Sequence, residues 1–326
     1  MSLSGRSVIF AGASYAATAG EAVLDTLLRH GVPVSNSCRA GACQSCLLRA
    51  SAGVVPTLAQ RGLKATLVEQ GYFLSCSCIP DGDLTIETAA RLEVPAQIAS
   101  LERLTATVLR AWVRPREPLR YRAGQYITLK RADGLSRSYS LASLPTDEAL
   151  ELHVRLAPHG RMSGWLCNEA RAGDALTLRG PAGDCFYTSG RLEQPLVLVG
   201  TGTGLAPLMG ILRDALAQGH VGPLHLYHGA QSVEGLYLQQ DLKELSRRHA
   251  NFHYVAVTPE ADGIRTFDTL ARLLADRHAT MRGWRGFVCG NPPAVSFLKK
   301  RLFLQGINAI EIFSDAFFEA PRDRAQ

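Results

Sequence analysis

No stretch of the 326-residue chain reaches the run of about eighteen apolar residues that a membrane-crossing helix needs. Charge of one sign is also scarce. Lys and Arg number 35 against 29 Asp and Glu, and the net +6 is spread as +1 over residues 1–92, +3 over 93–190 and +2 over 191–326. No segment is a polycation, so nucleic acid is not an expected partner, whereas a mildly positive surface suits a transient acidic protein. Met1 to Gly20 lacks a basic start followed by a compact apolar run, so no secretory leader is expected and the cytoplasm is the default location. Eight cysteines in so long a chain are too few for a disulfide scaffold and fit reduced thiols. There is no internal repeat and no low-complexity tract, and the length points to two or three domains, each with its own core.

Half of the cysteines are not scattered. Cys38, Cys43, Cys46 and Cys76 stand at Cys-x4-Cys-x2-Cys-x29-Cys, a spacing suited to a 2Fe-2S cluster: three soft thiolates from one tight loop and a fourth from elsewhere. Small residues between them, Ala40, Gly41 and Ala42, let backbone amides approach inorganic sulfide. A structural zinc site favours paired Cys-x2-Cys knuckles, and only one such pair is present. Cys78 rivals Cys76 as fourth ligand in Leu74-Ser75-Cys76-Ser77-Cys78, and Cys76 is preferred. Gly31 to Ser37 before the loop and Gly71 to Cys76 after it resemble a plant-type ferredoxin domain over about the first ninety residues, which implies a β-grasp fold. Such domains usually carry glycine after the second cysteine, where this chain has Gln44.

Along the chain, residues 1–92 read as short strands with one helix: a strand at Val8-Ile9-Phe10, a helix near Glu21 to Arg29, and a closing strand at Leu84 to Glu87. Arg91 to Ala99, with Pro95, reads as a tether. Residues 101–190 carry short alternating segments such as Leu104 to Leu109 and Leu150 to Arg155, the pattern of a small antiparallel barrel. From 191 to 326 apolar runs alternate with helical stretches, at Leu196 to Val199, Leu224 to Tyr227 and Phe252 to Val257, as in a parallel sheet with crossover helices.

In the barrel, Arg137-Ser138-Tyr139-Ser140 can aim Arg137 at a phosphate while Tyr139 offers a ring on the same face. Gly160-Arg161-Met162-Ser163 opens a helix, an anion site by its free amides. Two phosphate-directed features suggest a dinucleotide, with FMN the alternative. Together they resemble the ferredoxin-NADP reductase-like flavin domain, of six antiparallel strands. The resemblance implies FAD, with Arg137 on its pyrophosphate alongside Gly160 to Ser163, Tyr139 packed on the flavin and Ser140 near N5.

Further on, Leu196 to Val199 break into Gly200-Thr201-Gly202-Thr203-Gly204-Leu205-Ala206-Pro207, a glycine turn and helix start that can take a phosphate or merely pack tightly. It is not the G-x-G-x-x-G spacing. It resembles the Gly-Thr-Gly-x-Ala-Pro loop of the same reductases, with Cys289-Gly290-Asn291 matching their Cys-Gly motif. That implies Gly202, Thr203, Gly204 and Pro207 on a pyridine nucleotide, and Cys289, Gly290 and Asn291 beside nicotinamide. Residues 227–234 hold no arginine and include Glu234, which favours NADH, unless Arg247 and Arg248 reach inward. Phe317, in Asp315-Ala316-Phe317-Phe318, matches the aromatic that covers the flavin, the alternative being a Phe pair in the core. Ser140, Cys289 and Phe317 are the expected catalytic set.

Ferredoxin, flavin barrel and nucleotide domain in that order resemble the reductase components of multicomponent bacterial oxygenases, of the benzoate and naphthalene dioxygenase kind. The resemblance implies a monomer that passes electrons from NADH through FAD and the cluster to a terminal oxygenase or its ferredoxin, since a flavin converts a two-electron hydride into single electrons. A reductase serving a deoxysugar dehydratase, or a non-catalytic redox sensor, are the other readings. Intact Arg137-to-Ser140 and Cys289-Gly290 motifs argue against a sensor.

Overall fold

Arg6–Phe10 (β1) and Ala13–Ala17 (β2) form a hairpin turned by Ala11 and Gly12 at φ 51° and 81°, the left-handed pair that matches strand twist in a two-residue turn. In this computed structural model, which describes residues 6–34, 39, 46–63, 65–87, 93–259, 261 and 263–318, the chain divides into two compact units, Met1–Arg91 and Leu92–Gln326. In the first, β1 and β2 join Leu47–Ala52 (β3), Tyr72–Leu74 (β4) and Leu84–Glu87 (β5) in a sheet ordered β2-β1-β5-β3-β4, with β1 and β5 parallel. Helix Val23–Arg29 (α1) buries Val23, Leu24 and Leu27, one stripe at helical spacing, and Val23 and Leu27 join a core with Val8, Phe73, Leu84 and Ile86. A short helix, Ala65–Glu69 (α2), precedes β4.

The second unit begins with a departure from expectation. Instead of a tether, Glu93–Arg103 is a strand (β6) paired with both its neighbours, Val108–Pro115 (β7) and Ala175–Ala182 (β11). Val94, Ala96 and Ile98 are buried while Pro95 and Gln97 are exposed, so the period of two was present, and Pro95 is tolerated near the strand's start on its outward face. The strand expected over Leu104 to Leu109 is instead a turn at 104–107 followed by β7. The hydroxyl of Thr105 accepts from the amides of Thr107 and Val108 at 3.2 and 3.0 Å, a local bond that competes with the ladder.

With Tyr126–Lys130 (β8), Ser136–Ser140 (β9) and Leu150–Arg155 (β10), the order is β10-β7-β6-β11-β8-β9, antiparallel throughout. A bridge between Leu141 and Leu152 joins the two edges, closing the barrel. Helix Arg161–Asn168 (α3) follows β10.

After the barrel come Leu196–Thr201 (β12), Leu205–Ala217 (α4), Leu224–Gly229 (β13), Gln239–Arg248 (α5), Phe252–Val257 (β14), Thr266–Arg277 (α6), Arg285–Gly290 (β15), Pro292–Leu304 (α7) and Ile312–Ala316 (β16). Their strands form a parallel sheet ordered β14-β13-β12-β15-β16. On β12, Leu196 and Leu198 belong to one core and Val197 and Val199 to another, as in a sheet covered on both faces. Helix α4 leans on the barrel through Gly210, where a Cβ would lie 2.7 Å from the carbonyl oxygen of Leu141. A side chain there would hold the barrel and the sheet apart.

Candidate active site

Open parallel sheets bind ligands beyond the carboxyl ends of their strands, where the strand order reverses. Here that point lies between β12 and β15. The first of these strands runs into the Gly202–Gly204 turn and α4, the second into Gly290, Asn291 and α7. Gly204 packs so tightly beneath β15 that a Cβ would sit 2.2 Å from the Cys289 carbonyl oxygen. Of the two possibilities weighed for this turn, the close packing is present, and it sets the turn's backbone at the crevice. Thr203 and Pro207 are buried beside it. Asn291 is occupied otherwise, as its side chain accepts from the Ala294 amide at 2.8 Å and caps α7, a role for which asparagine is favoured.

Strand β16 supplies a residue that sequence reasoning passed over. In register, Asp315 lies opposite Cys289, and the hydroxyl of Ser140, at the end of β9, donates to Asp315 Oδ2 at 2.6 Å. The end of the barrel's RSYS strand, the edge of β15 and the acidic β16 therefore converge. Burial pushes the Asp315 carboxyl above its ordinary range, opposed by the Ser140 hydrogen bond. Phe317 donates its amide to the Gly290 carbonyl at 2.8 Å and is half-buried, while Phe318 is 80 % exposed. The alternative of a Phe pair hidden in the core is thereby excluded. Cys289 is buried, with its sulfur 3.8 Å from that of Cys185.

On β9 the motif divides by face. Arg137 and Tyr139 stand opposite the inward Leu129 and Ile127 of β8, and Tyr139 packs against the barrel core. Ser138 points outward, where its hydroxyl lies 3.0 Å from that of Thr128. Gly160 is the uncapped N-terminal flank of α3, and the Ser163 hydroxyl folds back on it, donating to the Gly160 carbonyl at 3.3 Å and accepting from Ala157 at 3.2 Å. Arg161 is exposed and Met162 buried. An arginine and a ring on β9, with a free helix start following β10, fit a flavin dinucleotide by the chemistry of their donors.

A second network runs under the nucleotide turn. His228 Nε2, at the end of β13, donates to the Gly202 carbonyl at 3.3 Å, and its ring meets Tyr237 edge-on at 5.3 Å. The Tyr237 hydroxyl donates to His153 Nδ1 at 2.9 Å, and His153 Nε2 donates to Glu151 at 3.1 Å. Arg213 of α4 donates to the other Glu151 oxygen at 2.6 Å. Burial works against the Glu151 charge, but His153 and Arg213 overcome it and hold the carboxyl at about 2. Burial lowers His153 and brings His228 to about 4, so both imidazoles are neutral at physiological pH.

In the first unit, Leu47 of β3 pairs with Leu74 of β4, which sets Cys46 and Cys76 side by side just beyond the ladder. Their sulfurs are 3.3 Å apart, close to the roughly 3.8 Å expected of two thiolates on one tetrahedral metal with bonds of about 2.3 Å. The Ser75 hydroxyl and amide both donate to the Cys46 carbonyl, at 2.8 and 3.1 Å. Cys78 belongs instead to the apolar core, and burial pushes its thiol up to about 12. Cys38, Cys43 and Gln44 lie outside the described residues.

Comparison with known proteins follows the same partition. Residues 11–81 match the 2Fe-2S iron-sulfur cluster binding domain, 101–187 the oxidoreductase FAD-binding domain and 198–300 the oxidoreductase NAD-binding domain. The class is therefore an iron-sulfur flavoprotein oxidoreductase that uses a nicotinamide coenzyme. The chain is 32 % identical over 312 residues to the reductase component of a naphthalene 1,2-dioxygenase system from Pseudomonas putida, covering 92 % of this chain and 94 % of that one. It is 36 % identical over 295 residues to the reductase subunit of an aromatic O-demethylase from Amycolatopsis, with 85 % and 87 % covered. The crystal structure of an Amycolatopsis cytochrome P450 reductase superposes with a TM-score of 0.65 at 31 % identity, over 96 % of this chain and 98 % of that one. The chain belongs to the family of fused ferredoxin reductases that form the reductase components of oxygenase systems.

Proposed function

We propose that this chain takes a hydride from NADH and delivers single electrons, by way of FAD and a 2Fe-2S cluster, to a terminal oxygenase or that oxygenase's ferredoxin. The observation that carries the reading is the meeting of Ser140, Asp315 and Cys289, where a flavin-type barrel adjoins the carboxyl edge of a nucleotide-type sheet. Bound FAD would supply the conversion of a two-electron donor into one-electron steps. The chain's own residues bind and orient. Arg137 and the Gly160-to-Ser163 helix start would hold the pyrophosphate, and Tyr139 and Phe317 would supply rings to the isoalloxazine. Ser140, whose hydroxyl donates to Asp315, would face the flavin edge that exchanges the hydride. Gly202, Thr203, Gly204 and Pro207 seat the coenzyme phosphates, and Gly290 and Asn291 shape the strand end beside Cys289. Cys38, Cys43, Cys46 and Cys76 hold the cluster.

NADH is favoured because residues 230–235 carry no cation and Glu234 is fully exposed there. Arg247 and Arg248 close the last turn of α5, which leads to the start of β14 and hence to the amino end of the sheet, away from the crevice at the carboxyl end. The protein acts as a cytoplasmic monomer, and no helix among the described residues is long and apolar enough to cross a membrane. Purified protein should show flavin and iron-sulfur absorbance and reduce cytochrome c with NADH. Cys76→Ser should lose the cluster spectrum and cytochrome c reduction while keeping ferricyanide reduction. Loss of both activities with flavin retained, or of neither, would refute the assigned electron path.

A further inference from the structure

Two thiols from distant parts of the second unit face one another in its core. Cys185 lies three residues beyond β11, on the segment that carries the chain from barrel to sheet, and Cys289 is the penultimate residue of β15. They are 104 positions apart in sequence, and their sulfurs are 3.8 Å apart in contact. Both are buried, in a common cluster with Tyr187, Leu198, Phe287 and Phe313. A buried cysteine ordinarily behaves as a small inert apolar residue. Two of them meeting sulfur to sulfur are a different chemical object, because once one is oxidised the other is already within reach as the resolving thiol.

We propose that Cys185 and Cys289 form an oxidisable dithiol, closed to a disulfide by a hydroperoxide, and that closure shuts off coenzyme oxidation at the crevice. Resting on the function proposed above, the consequence follows from place: Cys289 sits at the strand end where nicotinamide is expected, directly opposite Asp315. With hydrogen peroxide the balance is complete. The Cys289 thiol gives up two electrons to the peroxide and becomes a sulfenic acid, releasing one water. The Cys185 sulfur then attacks that sulfur and displaces a second water. In total two S–H bonds and the O–O bond break, one S–S bond forms, and two waters leave. A disulfide bond is about 2.05 Å long, so the sulfurs must close most of the distance from 3.8 Å, drawing Cys289 toward the barrel connection.

The division of roles follows from the surroundings. Cys185's hydrogen bond with Cys289 and its own burial push its thiol well up, and Asp315 and Asp184 add to this, so Cys185 is the resolving partner and not the first target. Cys289 reacts first because it stands at the carboxyl end of β15, beside the crevice. Attack within such a contact is intramolecular and does not wait on diffusion, whereas peroxide must first reach a buried sulfur, so the first oxidation sets the rate of closure.

The full-length flavin- and cluster-loaded protein is treated with hydrogen peroxide, and NADH-dependent ferricyanide reduction is followed with time. At each point free thiols are blocked and the disulfide-linked peptides mapped by mass spectrometry. Untreated activity tests the proposed function, and its loss on oxidation tests the dithiol. Expected are a loss of most activity, a linked peptide joining Cys185 to Cys289 that accumulates in step with it, and recovery of both on adding dithiothreitol. Cys185→Ser should keep at least about half the untreated activity and lose it about tenfold more slowly. The peptide map in the unsubstituted chain needs no variant. Inactivation without a Cys185–Cys289 link, a link that leaves activity intact, or equal sensitivity of Cys185→Ser would each overturn the proposal.

Discussion

At the scale of single residues the site is a compromise between stability and chemistry. Asp315 is a mostly buried carboxylate whose folded pKa lies above its ordinary value. As an anion at neutral pH it costs stability, and that cost disappears as pH falls through the folded pKa and the group takes up a proton. Asparagine would keep an oxygen for the Ser140 hydroxyl without a charge to desolvate. Asp315→Asn is therefore expected to unfold in urea with about 0.5–1 kcal/mol more stability at pH 7, the gain shrinking toward pH 4, while turnover with NADH and ferricyanide drops by on the order of tenfold. A variant both less stable and fully active would refute this account. Gly204 is constrained from the other side. Its absent Cβ would collide with backbone, at 2.2 Å from the Cys289 oxygen, which no rotamer can relieve. Gly204→Ala should lose about 1–3 kcal/mol and raise KM for NADH, read by urea titration and steady-state kinetics.

Between elements, the barrel and the sheet are stitched by Glu151 on β10 and Arg213 on α4, with His153 completing the carboxylate's shell. Because the folded pKa of Glu151 is lowered to about 2, its contribution is present above its unfolded value of roughly 4.5 and is lost as pH falls toward 2. Glu151→Gln should cost about 2 kcal/mol at pH 7, less than a fully buried pair because Arg213 is partly exposed. The difference from the unsubstituted chain should narrow below pH 4.5. A pH-independent difference would mean that packing, not charge, is what the substitution removes. The loop after β13 governs coenzyme choice: with Glu234 exposed and no cation at 230–235, NADH is expected to exceed NADPH by at least about tenfold in kcat/KM, on the order of 1.4 kcal/mol. Comparable values for the two coenzymes would contradict it.

For the whole molecule, the two units set where the chain can be cut. Since β6 pairs with both β7 and β11, a chain starting at residue 92 keeps the barrel whole. One starting at 101 loses most of a strand flanked on both sides and should be insoluble. The longer fragment should reduce ferricyanide with NADH and fail with cytochrome c. Efficient cytochrome c reduction by it would remove the ferredoxin unit from the path.

What was legible beforehand follows from sequence range. Cysteine spacing, the alternation of Arg137 and Tyr139 and the glycine turn after β12 are local patterns, and a short window contains each in full. Asp315, Cys185 and the Glu151–Arg213 pair were missed because each acquires meaning only from a partner 175, 104 or 62 residues away. The β6 strand was missed for a different reason: Pro95 reads as a break unless its outward position on the strand is known.

The reach from Ser140 to Asp315 also has a bearing on synthesis. A ribosome adding about 5–20 residues per second completes the barrel's β9 well before it reaches β16, with 175 residues still to be joined. During that interval the nascent chain can fold a barrel, but the hydroxyl at its rim has no carboxylate to meet. A chain released short of Asp315 would lack the last contact of the crevice, so the coenzyme's entry site is not finished until β16 has been made.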